Sequence, residues 1–564
     1  MSVWHVQQIK AHLTAEYASH IDISDYLTKP EDQKTNALLS RSLAAFSISH
    51  LTGLTPPESA AKVTDGGQDN GIDAIHYDKN EKILYLVQSK WGNDGSGSVE
   101  RGDVQKFITG VNDLLNARFG RFNDKVRNRK AEVDAAIMDA QSGIVLVVTY
   151  TGQDPLASEP ARDLEDCLNR TNDAGEIASL QVLRLENIHK IIAQGAAGAP
   201  INLEVVLHEW GQTLEPYRSF YGQVTGSDVA SWWDLYSTRL FAPNLRMFLG
   251  ATEVNESLAD TVRTHPDRFW YFNNGITAIC TSIKKKPIGA NTRETGIFEC
   301  SGVTIVNGAQ TVGSVAKASL SHKDQVSRAR IPIRFISLEH CPEGFAAEVT
   351  RATNTQNRIE KRDFVSLDGE QERIKGELQL DGIAYVYKSG ETMPVGQRGC
   401  DLTEAAVALA CFHSDLSLAI QAKREISKLW DDITKAPYKI IFNPSVSGRR
   451  VWRIVQISRA IDSVLKVQYD AMEGRDRMFA VHGNRFIAHE VFKRLPKGEI
   501  ENADIETLKG KANTLTENLL AAIIAKTNVL FPDSYLAMLF KNQNKCRALD
   551  LELKQQEENG TSTL

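Results

Sequence analysis

At 564 residues the chain is too long for one hydrophobic core, and its 42% hydrophobic and 24% charged content excludes wholesale disorder. A net charge of -6 excludes a protein that coats nucleic acid by charge alone, so any such contact must be local. No run approaches the roughly 18 apolar residues of a membrane helix, the start MSVWHVQQIKAHL has no signal-peptide character, and the seven scattered cysteines form no C-x-x-C pair. A cytoplasmic protein with reduced thiols and no membrane partner is the expectation.

Ala37, Leu38, Leu39, Leu43, Phe46 and Leu51 recur at helical spacing before a stop at Gly53 and Pro56-Pro57. From Ile72 the pattern becomes strand-like: IDAIHY, a turn at Asp78 to Asn80, then KILYLVQSKW, which together predict a hairpin. Val104, Phe107, Ile108, Val111, Leu114 and Leu115 share one face of a following helix, and GIVLVVTY and LQVLRL read as buried strands. This order predicts an α/β sandwich over residues 1–211 with its sheet covered on both faces. A second α/β or α+β region is expected over 212–400, with strands in GITAICTSI, GVTIVNG and IPIRFISL. A mostly helical part over 401–564 includes TEAAVALACF and ETLKGKANTLTENLLAAIIA.

The hairpin carries the chemistry. Strand side chains alternate, so Gln88 and Lys90 share a face while Ser89 points away, and Asp73 on the first strand can join them. Phosphodiester hydrolysis needs hard oxygen ligands for Mg²⁺ or Mn²⁺ and a positive group for the attacking water and the charged phosphate. Asp73 supplies a carboxylate, Gln88 and the Ser89 carbonyl offer neutral oxygens, and Lys90 supplies the amine. Downstream, Arg118, Arg121, Lys125, Arg127, Arg129 and Lys130 form a basic run that reads either as a phosphate-binding face or as a solvated helix end.

Asp69-Asn70-Gly71-Ile72-Asp73 followed by Gln88-Ser89-Lys90 resembles the Mrr-like branch of the PD-(D/E)xK nucleases. The resemblance implies a restriction-endonuclease-like fold, a divalent metal and a catalytic set of Asp73, Gln88 and Lys90. It departs in one respect: relatives carry a glutamate on the preceding helix, whereas NALLSRSLAAFSISHL has no acid, leaving Glu58 and Asp69 as substitute metal ligands.

The middle of the chain resembles the abortive-infection phage-resistance (AIPR) family through LFAPNLRMFLG at 240–250, FWYFNNGIT at 269–277, GVTIVNGAQTVGS at 302–314 and RATNTQNRIEKRDF at 351–364. The Asn-Gly turns expose backbone N–H groups, which suits anions, and Gln310 and Thr311 would open a helix whose N-terminus favours phosphate. Asn273, Asn274, Asn307, Gln310, Thr311, Arg351, Asn354, Gln356, Asn357 and Arg358 are therefore candidates for nucleic-acid or nucleotide binding, with turn-stabilising roles as the alternative. Together the two resemblances imply an antiphage, metal-dependent DNA endonuclease with a sensing region, whose target could be RNA or whose ligand a nucleotide, and which could act as a homodimer. The competing expectation is a non-catalytic defence regulator that binds DNA or a nucleotide.

Overall fold

The computed structural model describes residues 3–79, 82–139, 142–193, 200–236, 240–241, 253–286, 293–319, 322–342, 344–355, 365–366, 368–388 and 391–558. Packing divides the chain into two compact units, one of residues 1–49, 54–189 and 359–564, the other of residues 50–53 and 190–358.

In the first unit, helices α1 (Val3–Glu16) and α2 (Glu31–Thr52) precede the predicted hairpin, β1 (Ala74–Asp78) and β2 (Ile83–Lys90). Helix α3 (Arg101–Leu115), β3 (Gly143–Tyr150), α4 (Ser158–Thr171) and β4 (Ala178–Leu183) follow. The sheet runs β1-β2-β3-β4, antiparallel at the hairpin and parallel beyond it. Tyr85, Leu86 and Val87 are all buried although successive side chains point to opposite faces, so both faces of β2 are covered, as the sequence pattern predicts.

The second unit holds a seven-stranded mixed sheet in the order β10-β7-β11-β6-β5-β9-β8. Its strands are β5 (Leu203–Thr213), β6 (Ser219–Thr225), β7 (Ile276–Cys280), β8 (Ser282–Lys285), β9 (Thr295–Ser301), β10 (Thr304–Asn307) and β11 (Arg330–Ser337). Helices α5 (Gly226–Tyr236), α6 (Ala309–Ser319) and α7 (Phe345–Thr355) accompany it. Ile331, Ile333 and Phe335 of β11 share a core with Val229 of α5 and with Val312 and Val315 of α6. Alternation leaves Arg330 and Arg334 on the opposite, open face.

The remainder of the first unit is mostly helical, chiefly α8 (Gly369–Leu380), α9 (Leu402–Phe412), α10 (Gly448–Ala471) and α11 (Ile505–Leu530), with a two-stranded parallel sheet of Ala384–Val386 and Gly399–Asp401. Among the described residues no helix is long and apolar enough to cross a membrane. The carbonyl of Ile137 accepts from the Tyr535 hydroxyl at 3.2 Å and lies 2.8 Å from His482 Nε2, Arg475 donates to Asn116 at 2.9 Å, and Asn542 donates to the Asp173 carbonyl at 3.3 Å. The sequence boundaries at 211 and 400 follow changes in local pattern, whereas packing assigns β5 to the second unit and joins the C-terminal helices to the N-terminal α/β layer.

Candidate metal and phosphodiester site

The loop before β1 is coiled by left-handed backbone at Gln68, Asn70 and Gly71, which brings three aspartates spaced four apart to one place. Oxygens of Asp65, Asp69 and Asp73 lie within 4.8 Å of one another. Asp73 follows this loop and precedes β1, and its buried carboxylate accepts from the Ser89 N–H at 2.6 Å and the Ser89 hydroxyl at 3.2 Å. Asp69 accepts from the Gly66 and Gly71 N–H groups and from Lys106 Nζ at 2.7 Å. Asp65 is gripped by Arg41 Nε at 2.8 Å, and the fully buried Arg41 guanidinium also forks onto Asp25 at 2.7 Å.

Asp65, Asp69 and Asp73 line a cleft of about 400 Å³ together with Gln88, Lys90, Asp103 and Lys106. Asp73 and Lys90 thus reach the same space, as the hairpin reading expects. Asp103, in the first turn of α3, organises the β2 residues: its carboxylate pairs with Lys90 Nζ at 2.7 Å and its carbonyl accepts from Gln88 Nε2 at 2.7 Å. That bond fixes the Gln88 amide and leaves its Oε1 buried without a hydrogen-bond partner among the described residues.

An acceptor oxygen in this condition, lining a cleft with three clustered carboxylates, is one that a cation would satisfy, and the residues present fit a hard divalent metal. The electrostatics agree. Burial and then the charge of Asp65 push the Asp73 carboxyl well above the usual carboxylate range, against the Ser89 hydrogen bond, and Asp69 adds to the rise. Burial also raises Asp65 despite Arg41. The Ser89 carbonyl, expected as a further ligand, lies 3.3 Å from the Ser40 hydroxyl on α2.

Glu58 does not join the site. It caps the short helix Pro56–Ala60, accepting from the Thr55 N–H at 2.9 Å and hydroxyl at 2.6 Å. The α2 residues that line the cleft, Gln33, Asn36, Ala37 and Ser40, carry no acid, and the additional carboxylates come from the loop instead. Asp65 and Lys106 were missed in the sequence. The signal available was the Asp65, Asp69, Asp73 interval, which is uninformative until the loop is known to coil.

Three cations of the basic run, Arg118, Arg121 and Lys125, have partners within the protein. Arg118 and Arg121 both bind the buried carboxylate of Asp113, at 3.3 and 2.9 Å, and Arg118 also meets Asp533. Lys125 donates to the Asp65 carbonyl at 3.2 Å and pairs with Asp22 at 3.5 Å. Of these three, Lys125 braces the aspartate loop directly.

That loop crosses α3 closely: a Cβ at Gly110 would lie 2.3 Å from the Asn70 carbonyl oxygen, and one at Gly71 2.8 Å from the Phe107 nitrogen. Gly110→Ala is expected to cost about 1–3 kcal/mol of stability by forcing helix and loop apart, and to weaken Mn²⁺ binding. Denaturant melts and metal titration check both.

In the second unit, Asn274 and Asn307 line one depression on the open sheet face, with Asn307 Nδ2 donating to the Thr353 carbonyl at 2.6 Å. Asn273 bonds the Phe269 carbonyl and closes a helical turn. Gln310 and Thr311 sit in the first turn of α6, the Thr311 hydroxyl reaching the Asn274 carbonyl at 3.3 Å, and Arg351 is exposed on α7. Gln356, Asn357, Arg358 and the side chain of Asn354 lie outside the described residues, as does most of 240–250.

The AIPR protein family model matches residues 241–564. The chain belongs to the AIPR family. The match spans more than half of the sequence and runs through both compact units, covering the motifs at 269–277 and 302–314 in the second unit and the helical part of the first. Membership suggests an antiphage, abortive-infection role. No curated protein and no solved structure matches the chain.

Proposed function

We propose that the cleft is the active site of a Mg²⁺- or Mn²⁺-dependent phosphodiesterase that cuts DNA during antiphage defence, with the AIPR region sensing the nucleic acid or nucleotide that licenses cutting. The observation that carries this reading is the meeting, in one cleft, of three carboxylates, a Gln88 oxygen that is buried without a partner among the described residues, and the Lys90 amine. Asp73 and Gln88 would hold the cation, with Asp69 and Asp65 completing its oxygen shell. When bound, such an ion polarises the phosphate and makes its water more acidic.

The chain's own groups do the rest. Lys90 would orient the attacking water and offset charge gathering on the phosphate oxygens. Asp103 holds the lysine and the glutamine in register. Asp65 and Asp69 are steadied by Arg41 and Lys106, so the loop keeps its shape despite mutual repulsion. The test is incubation with duplex and single-stranded DNA and with RNA, in Mg²⁺ or Mn²⁺ against EDTA. Metal-dependent cutting that EDTA abolishes is expected; no cutting of any substrate removes the reading.

A second reading has its own support. The cleft wall on α2 carries no acid, and Asp65 and Asp69 already have cationic partners, as in a fold that grips nucleic acid without cutting it. DNA binding that persists while Mn²⁺ fails to bind would favour it.

A further inference from the structure

We propose that the depression on the open face of the second unit's sheet binds a nucleobase together with its phosphate. This deepens the reading of the AIPR region as a nucleic-acid or nucleotide binder and does not depend on hydrolysis in the first unit. The depression has a volume of about 480 Å³, within the range of small-ligand sites.

Two aromatic side chains border it although they are substantially exposed: Tyr221 of β6 at 51% and Trp270, just before β7, at 47%. Faces of this kind, left to water, are suited to stacking on a base. Arg334 of β11, the strand between β6 and β7, lies opposite Tyr221 on one side and Thr277 on the other. Its Nε donates to the Thr277 hydroxyl at 2.9 Å, and among the described residues it makes no ion pair, so its outer donors remain available for a phosphate.

Polar groups able to read a base edge complete the wall. The Asn274 and Asn307 amides come from two separate motifs, and Asn307 is fixed from a third by the Thr353 carbonyl. Glu209 is placed by a bulge in β5: its φ is +47°, and the register with β6 shifts between His208 and Gly211. Up to Leu207 the odd-numbered residues of β5 fill the core, and beyond the bulge Trp210 takes that role. Glu209 is thereby left on the depression side, where its carboxylate accepts from Gln223 at 2.9 Å. A carboxylate beside two amides suits exocyclic amines and ribose hydroxyls, while the arginine suits the phosphate.

The base could come from a free nucleotide or from a single strand, and binding separates them. The full-length chain in EDTA would be titrated with AMP, GMP, CMP and UMP by calorimetry, and with fluorescein-labelled ten-base DNA and RNA homopolymers by anisotropy. Binding of a mononucleotide identifies a free ligand; binding of oligomers alone identifies a single strand.

In either case Trp270→Ala is expected to weaken binding about tenfold or more, with Trp270→Phe restoring most of it. Arg334→Gln is expected to erase the preference for a nucleotide over its nucleoside, or for an oligomer to flatten the salt dependence. Absence of binding by every probe overturns the proposal. So do affinities within twofold of the parent in both variants when their melting temperatures are unchanged. A dead cleft would leave these titrations intact, so failure here and failure of the hydrolytic reading are separable.

Discussion

Lys90→Ala is expected to slow metal-dependent DNA cleavage by at least about 100-fold while leaving substrate affinity within a few-fold, because a group acting on developing charge contributes mainly in the transition state. The side chain is placed for that task by Asp103 at 2.7 Å and lines the cleft that Asp73 and Gln88 share. It is about half exposed, so truncation opens no cavity and the fold should be unaffected. Lys106 is the necessary comparison, since it is the second amine in the cleft and is tied to Asp69. Its loss should weaken the aspartate loop and raise the metal concentration needed, with the rate at saturating metal largely kept. A large fall for Lys106→Ala with Lys90→Ala unaffected would transfer the amine's role to α3.

Much of this site was legible because strand pairing is a local property. The hairpin, the alternation that groups Gln88 with Lys90, and the helix that brings Asp103 all follow from period-2 and period-3.6 patterns. Asp65 escaped because its convergence on Asp73 depends on left-handed residues at 68, 70 and 71, of which only the Gly is a strong sequence signal. Glu58 looked like a substitute ligand because proximity in sequence to α2 said nothing of the direction of its side chain, which the Thr55 cap fixes. Arg118, Arg121 and Lys125 read as a phosphate face because Asp113, their shared buried partner in two cases, looks like any polar residue of an amphipathic helix. The unit boundaries were hidden for a similar reason: the contacts of Tyr535 and His482 with Ile137 span more than 300 positions, and no local pattern announces them.

The clustered carboxylates should also make stability depend on pH and on metal together. Burial and the neighbouring Asp65 raise Asp73 above its value in the unfolded chain, and burial raises Asp65. The folded, metal-free protein therefore binds more protons than the unfolded chain across the interval between the two values. The contribution of this pair is fully present below the ordinary carboxylate range and is lost as pH rises through the raised values. Other carboxylates act oppositely: burial of Glu132 is outweighed by hydrogen bonds from the Tyr77 N–H and Arg129 and by the nearby His76 ring, which pull it down to about 2. The informative quantity is accordingly the difference between parent and Asp73→Asn. In EDTA the parent should lose stability relative to the variant as pH climbs from about 4 to 8. At pH 7.5, Mn²⁺ at a hundred times its dissociation constant should restore about 2.7 kcal/mol, a rise of roughly 3 °C in melting temperature, to the parent alone. Equal pH slopes and equal Mn²⁺ responses in the two proteins would mean that Asp73 neither carries the raised charge nor holds the cation.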